Sequence, residues 1–150
     1  MSMFHSMNNT ASALTAQRLR MDVISSNIAN ADSTRSVNGD GPYRRKSVVL
    51  EPKESQFSSF LNLAMSRKGG SSAGNGVKVS RIAEDRETPT KMVYDPTHVD
   101  ANENGYVEMP NVDPLREMTD LMSATRSYEA NVTVFNASKG MMMKALEIGK

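Results

Sequence analysis

The sequence predicts a mainly α protein, with long N- and C-terminal helices packed as a coiled-coil-like hairpin and a small β-rich middle domain. Three observations lead to this prediction. All six prolines and seven of the nine glycines lie between residues 39 and 114, so the two ends are almost free of helix breakers. Both ends carry apolar residues at alternating spacings of three and four, as in a coiled-coil stripe. Between them the period changes to two, which is typical of strands.

The first predicted helix covers residues 4–30 within an N-terminal segment 1–32. At 1.5 Å per residue it is about 40 Å long. Its apolar stripe comprises Phe4, Met7, Ala11, Leu14, Met21 and Ile28. Near its end stand Asn27 and Asn30, for which two interpretations stay open. Asparagine tolerates left-handed backbone at a helix end, and its amide can also form hydrogen bonds to another subunit.

The β-rich middle domain is predicted over residues 33–111. Candidate strands occur at 43–50, 77–79, 92–94 and 106–109, where apolar and polar residues alternate between turn signals. Residues 57–65 show the spacing of a short amphipathic helix, and a Gly/Ser-rich stretch follows, so 54–76 is predicted as a helix with a flexible segment. The basic run at 44–46 is interpreted as a solvated strand edge.

The second long helix is predicted over residues 114–148, within a C-terminal segment 112–150, and is about 52 Å long. Asp113 can cap it, Pro114 suits its first turn, and Gly149 is an end signal. Its stripe comprises Met118, Leu121, Thr125, Tyr128, Val132, Phe135, Met142 and Leu146.

The composition indicates that the two helices cannot bury all of their faces against each other. Hydrophobic residues make up 38% of the 150-residue chain, and its formal net charge is +1, so copies repel each other little. Two helices of this length bury one stripe against each other, and the remaining faces need another chain. The predicted assembly interface comprises Met7, Ala11, Leu14, Met21, Asn27, Ile28, Ala29, Asn30, Met118, Leu121, Tyr128, Asn131, Val132, Phe135, Met142 and Leu146. The alternative is a monomeric helical adaptor or chaperone for a secreted protein.

The composition also excludes several classes of function. Without cysteine there is no disulfide framework or thiol nucleophile, and the two histidines, His5 and His98, stand far apart. We therefore predict no catalytic residues and no cofactor. Near-neutral charge argues against nucleic acid as a partner. The longest strictly apolar runs are three residues, so no membrane insertion is expected, and no cleavable signal peptide is visible.

One segment resembles a calcium loop. Residues 100–105 match the first half of the EF-hand pattern, but its twelfth position, which should be a bidentate glutamate, is Asn111. A metal site is therefore not predicted there. We expect a turn built on asparagine or aspartate side chains and Gly105, between two strands.

Residues 22–31, with the sequence DVISSNIANA, resemble the N-terminal signature of bacterial flagellar rod and hook proteins. Further motifs follow in the order of the C-type proximal rod proteins of that family. They are GPYRRK at 41–46, GVKV at 76–79, YDP at 94–96, GYVEMPNV at 105–112, SYEANV at 127–132 and KGMM at 139–142. The similarity covers about residues 10–50 and 76–149. It departs at Val99, where a proline is expected, and at 54–75, which looks like an insertion.

The resemblance implies a structural protein of the flagellar basal body with no enzymatic activity. Many copies would polymerise helically into the proximal rod, a hollow drive shaft that spans the periplasm, transmits torque and forms the export channel. The implied partners are the protein itself, other rod proteins, the basal-body ring adaptor protein, the flagellar type III export apparatus and peptidoglycan. Export without a cleaved signal peptide is implied as well.

Overall fold

The computed structural model describes residues 3–36, 41–53 and 75–149. In chain order the elements are α1 (Met3–Ala29), β1 (Lys46–Pro52), β2 (Val77–Glu84), β3 (Lys91–Tyr94), β4 (Tyr106–Met109) and α2 (Pro114–Ile148). Two long helices that enclose a small β region in sequence confirm that part of the predicted fold class. The short helix and the Gly/Ser segment predicted at 54–76 lie almost wholly outside the described residues.

Helix α1 buries a different stripe from the one that its apolar residues predict. The buried positions are Thr10, Ala16, Val23, Ile24 and Asn27. The predicted stripe lies on a more accessible side of the helix, where Phe4 is 67% exposed. Two of the buried side chains are polar, so a stripe drawn on apolar residues excludes them, and Thr10 is buried with its hydroxyl donating to the Ser6 carbonyl at 2.9 Å.

Helix α2 begins and ends where its capping residues predict. The Asp113 carboxylate accepts a hydrogen bond from the N–H of Leu115 at 3.1 Å, and the Asp113 carbonyl accepts one from the N–H of Glu117 at 3.0 Å. Pro114 occupies the first turn, where a missing N–H costs no helical hydrogen bond. The helix ends at Ile148, directly before Gly149.

Strands β1 and β2 form one two-stranded sheet. The N–H of Asp85 donates to the Arg45 carbonyl at 2.8 Å, and the N–H of Lys53 donates to the Gly76 carbonyl at 2.9 Å. The strands are antiparallel, because residue numbers fall along β2, from 85 to 76, as they rise along β1, from 45 to 53. β2 extends well beyond the predicted 77–79. Gly76 precedes it with a φ of +93°, and a Cβ there would clash with the Ser12 hydroxyl.

Strands β3 and β4 form a second, antiparallel pair, with register from Lys91 opposite Met109 to Tyr94 opposite Tyr106. In the loop between them the Asn102 side-chain oxygen accepts the N–H groups of Asn104 and Tyr106. Gly105 has a φ of +76°. The predicted turn between two strands is therefore confirmed.

The chain divides into two compact units, each assembled from separate stretches. Unit A comprises Leu19–Val49 and Arg81–Thr125, and unit B comprises Met1–Arg18, Leu50–Ser80 and Arg126–Lys150. These units group residues by proximity, whereas the division into 1–32, 33–111 and 112–150 groups them by type of element and stays a prediction. Of the buried apolar residues in the described ranges, unit A contains Val23, Ile24, Val107, Val112 and Ala124, and unit B contains Ala16.

Candidate functional site: a buried polar network

Glu117, in the first turn of α2, has a fully buried side chain in unit A. One carboxylate oxygen, Oε1, accepts a hydrogen bond from Arg45 Nε at 2.6 Å, and the other, Oε2, accepts one from Asn27 Nδ2 at 2.9 Å. A buried charge is costly unless it is paired and hydrogen-bonded. Both conditions are met here, so the carboxylate can remain inside the fold.

Asn27 is equally buried and uses the full hydrogen-bonding capacity of its amide. Nδ2 donates to Glu117 and, at 2.8 Å, to the Lys46 carbonyl. Oδ1 accepts the N–H of Lys46 at 2.9 Å and the hydroxyl of Tyr43 at 3.0 Å. Two donors and two acceptor positions are all that an asparagine amide has. The side chain therefore ties α1, the start of β1 and α2 together.

Asn111 supports the same arginine from another direction. Its Oδ1 accepts the backbone N–H of Arg45 at 2.8 Å, and its Nδ2 donates to the carbonyls of Asp85 and Thr88 at 3.0 and 3.2 Å. Hydrogen bonds from the N–H and hydroxyl of Thr88 and the N–H of Glu87 hold the pKa of the Asp85 carboxyl below its ordinary value. The turn after β2 is thus fixed to the backbone before β1.

The outer part of the network contains weaker contacts between the helices. Asp120 lies 3.4 Å from Arg45 Nη2 and 3.9 Å from Arg20 Nη2, and its side chain is 35% exposed. The Thr125 hydroxyl lies 3.6 Å from the Met21 sulfur. Because Asn27 contacts Glu117 while Met21 contacts Thr125, the parts of α1 and α2 in unit A run antiparallel.

The chemistry of these groups is structural. The side-chain amide of Asn27 and both carboxylate oxygens of Glu117 are occupied by hydrogen bonds within the fold. Within the described ranges, no group of three histidine, aspartate or glutamate side chains is placed to hold a metal ion. The same part of the chain contains no helix that is both long and apolar enough to cross a membrane.

No sequence pattern predicts this network. The interpretation of the run 44–46 as a solvated strand edge is wrong for Arg45, since its side chain is only 20% exposed and pairs with Glu117. The left-handed interpretation of Asn27 and Asn30 is wrong too, because within the described residues only glycines have positive φ. A basic residue in a β-prone segment carries no local sign of a partner 72 positions further along the chain.

The predicted interface residues differ in accessibility, and their role in assembly stays a prediction. Ala11, Ala29, Met118 and Leu146 are exposed. The half-buried ones are Met7, Leu14, Met21, Ile28, Asn30, Leu121, Tyr128, Asn131, Val132, Phe135 and Met142. Asn27 has no exposed surface, and the structure brings it onto Glu117 rather than onto another predicted interface residue.

Comparison with known proteins gives matches at both ends and over the full length. A family model described as flagella basal body rod protein matches residues 7–35, and one described as flagellar basal body rod FlgEFG protein C-terminal matches residues 103–148. The flagellar basal-body rod protein FlgC of Bacillus subtilis is 65% identical over the whole of both chains. That of Borreliella burgdorferi is 42% identical over 99% of this chain and 98% of its own, and that of Escherichia coli O6:H1 is 46% identical over 93% and 92%.

The chain belongs to the FlgC family of flagellar basal-body rod proteins. This confirms the resemblance carried by residues 22–31 and the motifs that follow. It also makes the role structural, that of a rod subunit, and not enzymatic. In this FlgC-family chain, Asn27 lies within the first matched family region, Glu117 lies within the second, and Arg45 comes from the segment between them.

Proposed function

We propose that this FlgC-family chain polymerises helically, with copies of itself and with other rod proteins, into the proximal rod. The rod is a hollow shaft that transmits torque and encloses the export channel. The observation that carries the proposal is the exposure of large apolar side chains along α2. Val134, Met141 and Ile148, spaced by seven residues, are 50%, 57% and 85% exposed, and Leu146 is 73% exposed. A heptad of exposed apolar residues is the pattern of a helix that lacks a partner.

We propose further that α1 and α2 pack as a coiled-coil-like hairpin within the rod. The predicted interface residues that reach the surface, Leu146 and Met118 among them, would then contact neighbouring subunits. Asn27 would act through its buried hydrogen bonds, by holding α1 against the start of α2. Non-closing contacts between different faces of identical subunits build an open helical assembly.

Association would also supply burial that the single chain lacks. Within the described part of unit B, Ala16 is the one buried apolar residue, which is a small core for two helix segments. Contacts that exist only in the polymer stabilise the folded subunit by mass action. The formal net charge of +1 leaves little repulsion to oppose them.

The family resemblance supports the remaining proposals. We place the subunit in the part of the rod that crosses the periplasm, exported by the flagellar type III apparatus without a cleaved signal peptide. The basal-body ring adaptor protein and peptidoglycan are its further proposed contacts. All of these partners would meet the assembled rod or the chain in transit.

The substitution Leu146→Glu tests the polymerisation proposal, with Ala145→Glu as its matched control. Both positions are exposed neighbours on α2 and face about 100° apart, and both variants gain one negative charge. We expect Leu146→Glu to abolish rod assembly and motility while the helix content of the purified monomer is unchanged. Ala145→Glu should retain at least part of the motility.

Complementation of a strain that lacks the chain gives the readout, together with electron microscopy of its basal bodies. A Leu146→Glu chain that builds motile flagella as efficiently as the unmodified chain would contradict the proposed interface. A monomeric adaptor or chaperone would in addition be absent from purified rods, whereas a subunit must be present in them.

A further inference from the structure

A cleft of about 750 Å³ opens on the surface of unit A and shares Tyr43 and Lys46 with the polar network. The end of α1 contributes Ser26 and Asn30 to its lining. Its charged lining residues are Arg35, Arg44, Lys46, Arg86 and Glu84. Four cations therefore face one carboxylate. Because the whole chain has a formal net charge of only +1, an excess of acidic residues elsewhere on the chain balances this concentration of positive charge.

Two of the cations already bind carboxylates of the chain. Arg35 pairs with Asp100, and Arg86 Nη2 lies 3.4 Å from Glu84 Oε2. The guanidinium group matches the geometry of carboxylate and of phosphate alike, and carboxylates are the anionic side chains that an unmodified protein partner offers. Carboxylate is thus the anion that the arginines of this cleft use within the fold.

Among the described residues, the other two cations have no carboxylate partner. In the part of the chain that the structure describes, Arg44 has neither an ion-pair nor a hydrogen-bond partner for its side chain. Lys46 Nζ lies 5.4 Å from the centroid of the Tyr43 ring, and in those same ranges it pairs with no carboxylate. A carboxylate from outside the chain would find two cations separated by one residue of sequence.

The backbone that carries these cations is held on both sides. The N–H of Tyr43 donates to the Ser33 carbonyl at 3.0 Å, and Asn27 binds both the N–H and the carbonyl of Lys46. The N–H of Arg45 donates to Asn111. A site whose backbone is fixed before binding loses less entropy when a ligand arrives. The buried network therefore fixes the backbone of residues 43–46 before a ligand binds in the cleft.

We propose that this cleft binds an acidic peptide segment of a neighbouring rod subunit, with Arg44 and Lys46 as the carboxylate-binding residues. The proposal rests on the proposed polymerisation, which brings other subunits to this surface. The volume lies within the roughly 300–1,000 Å³ of ordinary ligand pockets and exceeds what one isolated carboxylate fills. The opposite excess of charge elsewhere on the chain makes a second copy an electrostatically suitable partner.

The test measures binding of a hexaglutamate peptide to the purified full-length chain by calorimetry, with hexaglutamine as the uncharged peptide control. We expect binding that weakens as salt is added, and amide NMR shifts centred on residues 43–46. The double variant R44Q/K46Q should weaken binding by roughly tenfold or more, because charge-assisted hydrogen bonds are the strong ones. The matched control is Arg81→Gln, an exposed arginine on β2 outside the cleft lining, which should leave binding unchanged.

Three results would overturn the proposal. Equal weakening by Arg81→Gln would mean that binding follows overall charge. Displacement of the peptide by inorganic phosphate at equal concentration would make the cleft a phosphate site. A double variant that loses the peptide but enters rods in competition with the unmodified chain at equal yield would exclude a neighbouring subunit as the ligand. That last result leaves the proposed polymerisation intact, whereas a motile Leu146→Glu strain contradicts polymerisation through α2 without affecting peptide binding.

Discussion

Unit A and unit B use the same two helices in different ways. In unit A the helices are joined by Asn27 and Glu117, both fully buried, and, prolines apart, five of the six buried apolar residues of the described ranges lie there. In unit B the corresponding stretch of α2 leaves Met141 and Leu146 more than half exposed. Both units leave large apolar side chains exposed, such as Met118 and Met122 in unit A. The difference lies in what is buried: unit A contains the hydrogen-bonded pair of Asn27 and Glu117 and most of the buried apolar residues, whereas Ala16 is the one buried apolar residue in the described part of unit B.

The largest expected effect comes from Glu117→Ala, which removes the acceptor at the centre of unit A. It leaves Arg45 partly buried without its main partner and one Asn27 donor unpaired. Breaking a buried pair by deleting one member costs about 3–5 kcal/mol in free energy of unfolding. Denaturant unfolding of the monomer measures the loss.

Glu129→Ala is the matched control for that experiment, since Glu129 is an exposed glutamate on the unit B stretch of α2. We expect it to change the free energy of unfolding by no more than about 0.5 kcal/mol. Equal effects at the two positions would show that the two units do not differ in the way described.

A smaller loss is expected from Asn27→Asp, which keeps the shape of the side chain. An oxygen then replaces the donor that faces the Lys46 carbonyl and the Glu117 carboxylate. Each unsatisfied buried group costs about 1–3 kcal/mol, and more where charges meet. The loss should grow between pH 5 and pH 8, because a protonated carboxyl can still donate to Glu117 and an ionised one cannot.

Unfolding curves at the two pH values check this expectation, and Asn136→Asp, at an exposed position on α2, is the control. A destabilisation by Asn27→Asp that is independent of pH would contradict the hydrogen-bond assignment of its amide.

Two glycines, one in each unit, test the same comparison at the level of the backbone. Gly41 and Gly76 both have positive φ, so alanine costs each about 1–2 kcal/mol in strain. At Gly41 an added Cβ meets none of the described residues within 4 Å, whereas at Gly76 it meets the Ser12 hydroxyl. We therefore expect Gly76→Ala to be the more destabilising by about 1 kcal/mol. Ser12→Ala in the Gly76→Ala background should recover part of that difference, and equal losses at both glycines would contradict the close approach.

The smallest effect is expected at Asp100. Hydrogen bonds from Thr34 and Arg35 hold the pKa of the Asp100 carboxyl below its ordinary value. A lowered pKa stabilises the fold above the unfolded-state value, near 4, and that stabilisation disappears as the pH falls through the folded-state value. Asp100→Asn should therefore lower the melting temperature slightly at pH 7 and progressively less as the pH falls below about 4. Asp32→Asn, at an exposed position, is the control and is measured over the same pH range.

The limits of the two helices and of β3 and β4 follow from local chemistry, and the sequence predicts them well, whereas β1 and β2 differ from the predicted 43–50 and 77–79. Absence of proline and glycine predicts α1, and the pair Asp113–Pro114 predicts the first residue of α2. The turn before β4 follows from asparagine and Gly105 in the same way. Each of these signals acts within a few residues, so no knowledge of the tertiary fold is needed.

The buried face and the network depend on residues far apart in sequence. Asn27 and Glu117 are polar, so a stripe drawn on apolar residues excludes them, although both are fully buried. Their burial is possible only because Arg45 and the backbone of Lys46 supply partners from another segment. The cleft next to Arg44 is likewise lined by residues far apart in sequence, so composition alone does not predict it.

Amide hydrogen exchange, measured along α2 in the monomer and in isolated rods, tests the central claim most directly. In the monomer we expect slow exchange over residues 114–125, which belong to unit A, and fast exchange over 126–148. In rods both stretches should be protected. Uniform protection of α2 in the monomer, unchanged in rods, would contradict the claim that the polymer completes unit B.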